Sequence, residues 1–316
     1  MPKILKIRDL IGALFGVILF SIAVMAFEER STRPIVHIQD FHDALEAEQI
    51  IAAAQSVPPE RRITFVSGYF LGRKYHPETQ KRIKDLRSNP NVRLEASNTQ
   101  PLPLEILPTS LEYLDCMTYV EHVLALASSD RADYTGSFLP RLVDVMFDAN
   151  SEPLTNHLRS HFTSHWGDVN ERKGYILNLA RGHPAAVSRE VLLNKVGDNK
   201  TYYVVDRFMI STAPQIIYYF PLNAILERRV DLSSGDILAL ITDKEGLDVS
   251  HMAFFILQHG KRLFRHASYS KNIITEEDFE TFLRQKKDLK GLMVFRPILK
   301  APPPPNYQFV ENSHLK

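Results

Sequence analysis

The sequence predicts an α+β protein: a helical half packed on a mostly antiparallel β-sheet. Stretches with helical apolar spacing fill the first half of the chain. From about Tyr202 they give way to short runs rich in β-branched and aromatic residues, bounded by turn residues. Helices first and strands afterwards is the order of an α+β architecture. A chain of 316 residues supplies ample core. A net charge of +1 gives no electrostatic footprint for nucleic acid, and the composition is not that of a disordered chain.

The N-terminus reads as an address. Lys3, Lys6 and Arg8 precede an uncharged run from Leu10 to Phe27, followed at once by Glu28, Glu29 and Arg30. A basic segment, an apolar segment and small residues at Val24 and Ala26 describe an export signal over residues 1–26. An uncleaved anchor is the alternative, because the run is longer than most signal cores and just short of the roughly 20 residues that span a bilayer. On either reading the folded part is exported, to the periplasm or cell envelope, and meets membrane only through this segment if it is retained.

The elements follow in order. IQDFHDALEAEQIIAAAQ has helical spacing and stops at Pro58 and Pro59. ERRITFVSGYFLG reads as a second helix, stopped by Gly72. Residues 76–110, rich in Pro, Asn and charge, read as a long inserted loop. LDCMTYVEHVLALASS returns to helical spacing, with Met117, Val120, Val123, Leu124 and Ala127 near one face. LPRLVDVMFD and TNHLRSHFTSHW read as further helical regions. TYYVV, QIIYYFPL, DILALIT, VSHMAFFILQ, RLFRHAS and LMVFRPI read as strands. A body over residues 27–300 is then followed by a tail, 301–316, whose APPPP favours an extended form and is expected to add no core.

Cys116 is the only cysteine. In an oxidising compartment such a thiol is an inert core group, an intermolecular partner or a reactive group. If the helix starts at Asp115, that side chain caps it and Cys116 falls in the first turn. There the unpaired N–H groups and the positive end of the dipole favour a thiolate and face negative charge developing on a substrate. Such a nucleophile normally needs a histidine as well.

Twelve histidines are available, and geometry selects among them. VSHMAFFILQHGKRLFRHAS reads as a hairpin. With His259 and Gly260 as a two-residue turn, Gln258 pairs with Lys261 and His266 lies opposite Ala253. His251 shares a face with Ala253. His251 and His266 are then diagonal neighbours at roughly 7–8 Å, a base and its orienter beside a nucleophile.

These residues carry a resemblance. LDCMTYVE resembles the cysteine motif of NlpC-type, papain-like cell-wall peptidases, and SSGDILAL resembles their Gly-Asp turn into a strand. DVSHMAFFI and FRHAS resemble the strands bearing their histidine and third polar residue. Within that superfamily the chain is most similar to the N-acetylmuramoyl-L-alanine amidase branch. FLGRKY matches its FLG-x-x-Y segment, residues 246–251 match GLDVSH, and Arg159, His161 and Trp166 match a helical R-x-H followed by Trp. The likeness implies a papain-like fold, with Cys116 as nucleophile, His251 as base and His266 as orienting residue. It also implies oxyanion or substrate contacts from Tyr75, Asp248, Arg159 and His161. Met117, HMA and GRKY depart from the pattern, and the last of these bears on where Tyr75 sits.

The resemblance implies an exported cysteine amidase that cuts the bond between muramic acid and L-alanine in peptidoglycan fragments, small anhydro-muropeptides in particular. Cleavage inside the stem peptide after D-glutamate is one alternative. A non-catalytic wall-binding protein on the same scaffold is another. A zinc site on His157, His161 and His165 is disfavoured, because three nitrogens spread over about 12 Å of helix cannot all reach one ion at about 2 Å. No metal and no cofactor is expected.

Overall fold

Capping residues, turn residues and period-two apolar runs divide the chain into the elements of a computed structural model, which describes residues 34–39, 41–76, 106–148, 158–196, 200–201 and 214–311. The export-signal segment, most of the 76–110 insert and most of TYYVV lie outside the described residues. The first half holds β1 (Ile35–Ile38), α1 (Ala44–Gln55), α2 (Pro59–Tyr69), β2 (Ile106–Leu107), α3 (Cys116–Ser128), a π-helical turn (Tyr134–Phe138), α4 (Leu139–Met146) and α5 (Thr163–Arg172). There follow β3 (Ile176–Asn178), β4 (Val187–Leu192), β5 (Lys195–Val196), β6 (Lys200–Thr201), β7 (Pro214–Pro221), α6 (Leu222–Leu226) and β8 (Ile237–Ile241). The chain then forms β9 (Val249–Gln258), β10 (Lys261–Ser268), β11 (Ile273–Asp278), α7 (Phe279–Gln285), β12 (Gly291–Pro297) and β13 (Gln308–Glu311). Helices and an antiparallel sheet make this an α+β protein.

The main sheet runs β11-β10-β9-β8-β12-β7-β4, with β3 pairing the far end of β12. Its pairings are antiparallel. Ile237, Ala239 and Ile241 of β8 and Met252, Phe254 and Ile256 of β9 face the layer of α1 to α4. Leu238, Leu240, Ala253 and Phe255 face the opposite layer, where Phe255 meets Phe279 and Phe264 stacks on Phe282. Both faces are covered, which is why these strands read as unbroken apolar runs rather than alternations.

The hairpin turn is as expected. His259 and Gly260 both have positive φ, 50° and 73°, and Gln258 pairs with Lys261. Two positive φ values match the twist of the flanking strands, and glycine takes the second at no steric cost. At the other end of β9 the register slips: Leu240 opposes His251, but Ile241 opposes Val249. Ser250 is therefore an extra residue, a bulge immediately before His251.

Four expectations change. The first helix begins at Ala44, and Ile38 belongs to β1, a strand whose parallel partners are β2 and β13. Helix α3 is buried from Thr118 to Ala127 on every side instead of along one face, because α1, α2 and α4 pack round it as well as β9 and β10. TNHLRSHFTSHW is not one helix: Arg159 bridges to Phe147, and α5 starts only at Thr163, after His161. Finally, the Pro-rich tail does add core. Prolines cannot donate hydrogen bonds but their carbonyls accept, and Arg141 binds the carbonyls of Ala301 and Pro302 at 3.2 and 2.6 Å. Tyr307 then turns inward, 4% exposed, and β13 pairs with β1.

The tail is therefore expected to carry stability. Tyr307→Ala should cost about 3 kcal/mol, seen as a lower urea midpoint with an unchanged slope. An unmoved midpoint would show that the tail is not part of the core.

Candidate active site

Asp115 decides where α3 begins. Its backbone is extended, and one carboxylate oxygen accepts the N–H groups of Met117 and Thr118 at 2.9 and 2.8 Å. Thr118 Oγ1 accepts the Asp115 N–H at 2.8 Å, completing a reciprocal capping box. Cys116 is thus the first helical residue, half-buried.

The thiolate expected from this position is not the resting state. The Cys116 thiol is pushed up to about 12, by burial first and then by the Asp115 carboxylate. The N–H groups of Met252, Cys116 and Met117 act in the opposite direction but do not prevail. The carboxylate that starts the helix is the sulfur's own neighbour, and it adds to the effect of burial.

Tyr75 lies beside the cysteine. Its N–H donates to the Asn272 carbonyl at 3.0 Å, its backbone bridges to Leu114, and His76 donates to the Leu114 carbonyl at 3.1 Å. Burial, and after it Cys116 and Asp115, raise the Tyr75 phenol far above its ordinary value, so it remains a neutral O–H donor. Its ring meets Tyr269 edge-on at 5.6 Å, and Tyr269 is 75% exposed.

The hairpin brings the two histidines together. His251 Nε2 and His266 Nδ1 are 2.7 Å apart, with the rings at 89°. Both rings sit on the Ala253–Phe255 face of the sheet, where His266 packs on Phe282 at 5.1 Å. Burial is the main cause that lowers both imidazoles, and Lys286 adds to it in each, so the pair rests uncharged. Helix α3 packs on the opposite face through Tyr119, edge-on to Phe254 at 5.4 Å. The group of β9 that faces the Cys116 sulfur is the Met252 N–H, one residue beyond His251.

The remaining predicted contacts are placed differently. Asp248 is 1% exposed, and its two oxygens accept the Ser164 and Val249 N–H groups at 2.6 and 2.8 Å. It holds the start of α5, and burial raises its carboxyl. Arg159 grips Glu121 with both ends of its fork, at 2.5 and 2.7 Å, and donates to the Met146 carbonyl at 2.9 Å. Glu121 is wholly buried, and burial pushes its carboxyl up to about 7 despite Arg159. His157 lies outside the described residues; His161 is half-buried in the segment before α5, so it does not share a helix face with His165.

Sequence reasoning missed Glu277. Its Oε1 lies 3.0 Å from His266 Nε2, and its Oε2 is 2.9 Å from Lys271 Nζ. The signal was the β-branched run Ile273, Ile274 and Thr275 that opens β11, masked by the three acidic residues that follow it.

With this geometry in view, comparison with known proteins is decisive at the level of family. Residues 65–292 match the family described as N-acetylmuramoyl-L-alanine amidase-like, or AmiA-like. The chain belongs to this family. It is therefore an amidase-like hydrolase of the peptidoglycan-related kind. No curated protein matches the chain. A crystal structure of an N-acetylmuramoyl-L-alanine amidase from Bacteroides uniformis is similar in fold, with a TM-score of 0.57 at 18% identity over 76% of this chain and 98% of that one. A Legionella pneumophila protein gives a TM-score of 0.59 at 18% identity, over 90% of this chain and 99% of its own. A putative xylanase from Bacteroides fragilis gives 0.55 at 20% identity, over 73% and 99%.

Two outcomes follow for this amidase-like chain. Arg159→Ala strands a buried carboxylate and should lower stability by about 3–5 kcal/mol. Combining Arg159→Met with Glu121→Leu should recover most of that loss, both read by chemical denaturation. Alkylation of Cys116 by iodoacetamide, followed by mass, should accelerate about tenfold per pH unit between pH 7 and 9, because the thiol titrates above that window. A rate that levels off below pH 8 would mean a resting thiolate.

Proposed function

We propose that this chain is an exported, papain-like cysteine amidase that hydrolyses the bond between the muramic acid lactyl group and L-alanine in peptidoglycan fragments. One observation carries the reading. The Cys116 sulfur, at a capped helix start, meets β9 one residue from His251, whose ring is backed by His266. The family's named reaction supplies the substrate class, and the neighbour from Bacteroides uniformis bears the same enzyme name. The uncharged run near the N-terminus supports export.

The chemistry starts from neutral partners. The substrate carbonyl approaches Cys116, and the His251 ring takes the thiol proton as the C–S bond forms. In the unliganded protein the sulfur meets the Met252 N–H rather than the imidazole, and the thiol–imidazole contact forms with substrate. The Met117 N–H is already spent on Asp115, so the Cys116 N–H and the Tyr75 hydroxyl are the donors for the oxyanion. His251 returns its proton to the alanine nitrogen as the C–N bond breaks, leaving a thioester. It then draws a proton from water, which attacks the thioester and releases the lactyl acid and the thiol.

A muropeptide digest read by mass tests this. Wild-type protein should release free sugar and the whole stem peptide, and Cys116→Ala should lose at least about a thousandfold in rate. A sugar-dipeptide product, or full activity without the thiol, overturns the proposal.

A further inference from the structure

The hydrogen-bond chain that begins at His251 does not stop at His266. We propose that Glu277 is the positioning residue that decides which nitrogen of His251 is free to take the Cys116 proton. This rests on the cysteine-hydrolase reading and adds a fourth member to its site.

Donors and acceptors along the chain fix the tautomers. A neutral imidazole carries one N–H and one lone pair, and the hydrogen bonds it makes determine which nitrogen has which. Burial works against ionisation of Glu277, but the contacts with Lys271 and His266 outweigh it and hold its carboxyl below the usual range. A carboxylate only accepts. His266 Nε2, 3.0 Å from Glu277 Oε1, must therefore carry the hydrogen. His266 Nδ1 is then a lone pair, so the 2.7 Å contact is a donation from His251 Nε2–H. His251 Nδ1 is left as the lone pair, the form a base needs. Each link follows from the one before, and the chain ends at Glu277.

The sheet repeats one geometry to build this line. Glu277 lies opposite Phe264 and His266 opposite Thr275, so the two are diagonal neighbours on one face. His251 and His266 stand in the same relation across β9 and β10. The charges around the pair are Lys271 at the β10–β11 turn and Lys286 at the end of α7, both of which oppose an imidazolium. Phe264 and Phe282 supply apolar walls. Glu277 is the carboxylate in contact with the pair, and it favours the charged ring during proton transfer without taking a proton itself.

Two substitutions in the full chain separate this role from simple packing. The isosteric Glu277→Gln can donate an amide N–H to His266 Nε2, which turns both hydrogen bonds round and puts the His251 proton on Nδ1, where a base needs its lone pair. Glu277→Ala removes more contact but imposes no wrong tautomer. Glu277→Gln should therefore be the worse enzyme, with kcat on muropeptide down roughly 100-fold or more, against about tenfold for Glu277→Ala and KM within about twofold for both. Glu277→Asp, which keeps an acceptor, should retain most of the rate. A purely structural role predicts the opposite order, with Gln mild and Ala severe, and that order overturns the proposal. Nitrogen-15 NMR of labelled histidine gives a readout independent of turnover. His266 should be protonated at Nε2 in the wild type and at Nδ1 in Glu277→Gln, and an unchanged tautomer also overturns it. If wild-type protein does not cleave muropeptides, or Cys116→Ala does, the cysteine-hydrolase reading fails, while the NMR result still decides whether Glu277 sets the tautomer.

Discussion

Enclosing one helix on all sides is the constraint from which much of this structure follows. Every polar group on α3 between Thr118 and Ala127 has lost its water, so each needs a partner within the protein. Asp115 and Thr118 satisfy the first turn reciprocally. The His122 Nδ1–H is turned back on the Thr118 carbonyl at 2.8 Å, and burial drives that ring's pKa down to about 4, keeping it neutral. Glu121 has no backbone solution and requires a cation. Arg159 supplies it from the segment ahead of α5, where its backbone bridges to Phe147. A residue that resembles a substrate contact in the sequence is thus fully engaged in paying the cost of a buried helix.

The same enclosure sets the electrostatics at the start of α3. Helix-terminus N–H groups favour a thiolate, as the sequence argument holds, but that argument counts only the favourable terms. The cap that creates the terminus is itself an anion next to the sulfur, and desolvation adds to its effect. The buried imidazoles are depressed in parallel. A neutral thiol beside neutral rings costs less to enclose than a separated ion pair. Charge is then confined to the moments of bond making, when the substrate's own oxyanion is present to share the donors.

Much of this was legible in the sequence, because it depends on local chemistry. The His259-Gly260 turn gives the hairpin register, and the register puts His251 and His266 on one face. Asp115 followed three residues later by Thr118 marks the helix start. Partners supplied from a distance were not legible. Asp248 resembles a substrate contact until Ser164 is seen to arrive from 84 residues away. Arg159 resembles a substrate contact until Glu121 is known to be buried. Glu277 falls in no element that the sequence marks, since only pairing with β10 puts it on the face of the histidines. The tail hides its role for another reason: proline runs lack donors, yet their carbonyls still serve Arg141.

The proposed nucleophile and the histidine line are placed by unrelated devices, and this bears on how the site tolerates change. Cys116 is positioned by a cap and a helix packed from the far side of the sheet, whereas His251, His266 and Glu277 are positioned by strand register on the near side. Register moves in steps of one residue, and each step reverses the face of every side chain. A one-residue slip of β9 against β10 at the His259-Gly260 turn would therefore separate His251 from His266 while leaving the cap, and the His266–Glu277 link, intact. A bulge is the exception, since it absorbs one residue locally without shifting the rest. Ser250 occupies such a bulge directly before His251, so the approach of β9 to the cysteine can differ from the regular strand beyond it. The two devices meet at Met252, where the strand backbone faces the sulfur. Small changes in the bulge would adjust the distance between thiol and imidazole, and the hydrogen bonds behind His251 would stay in register.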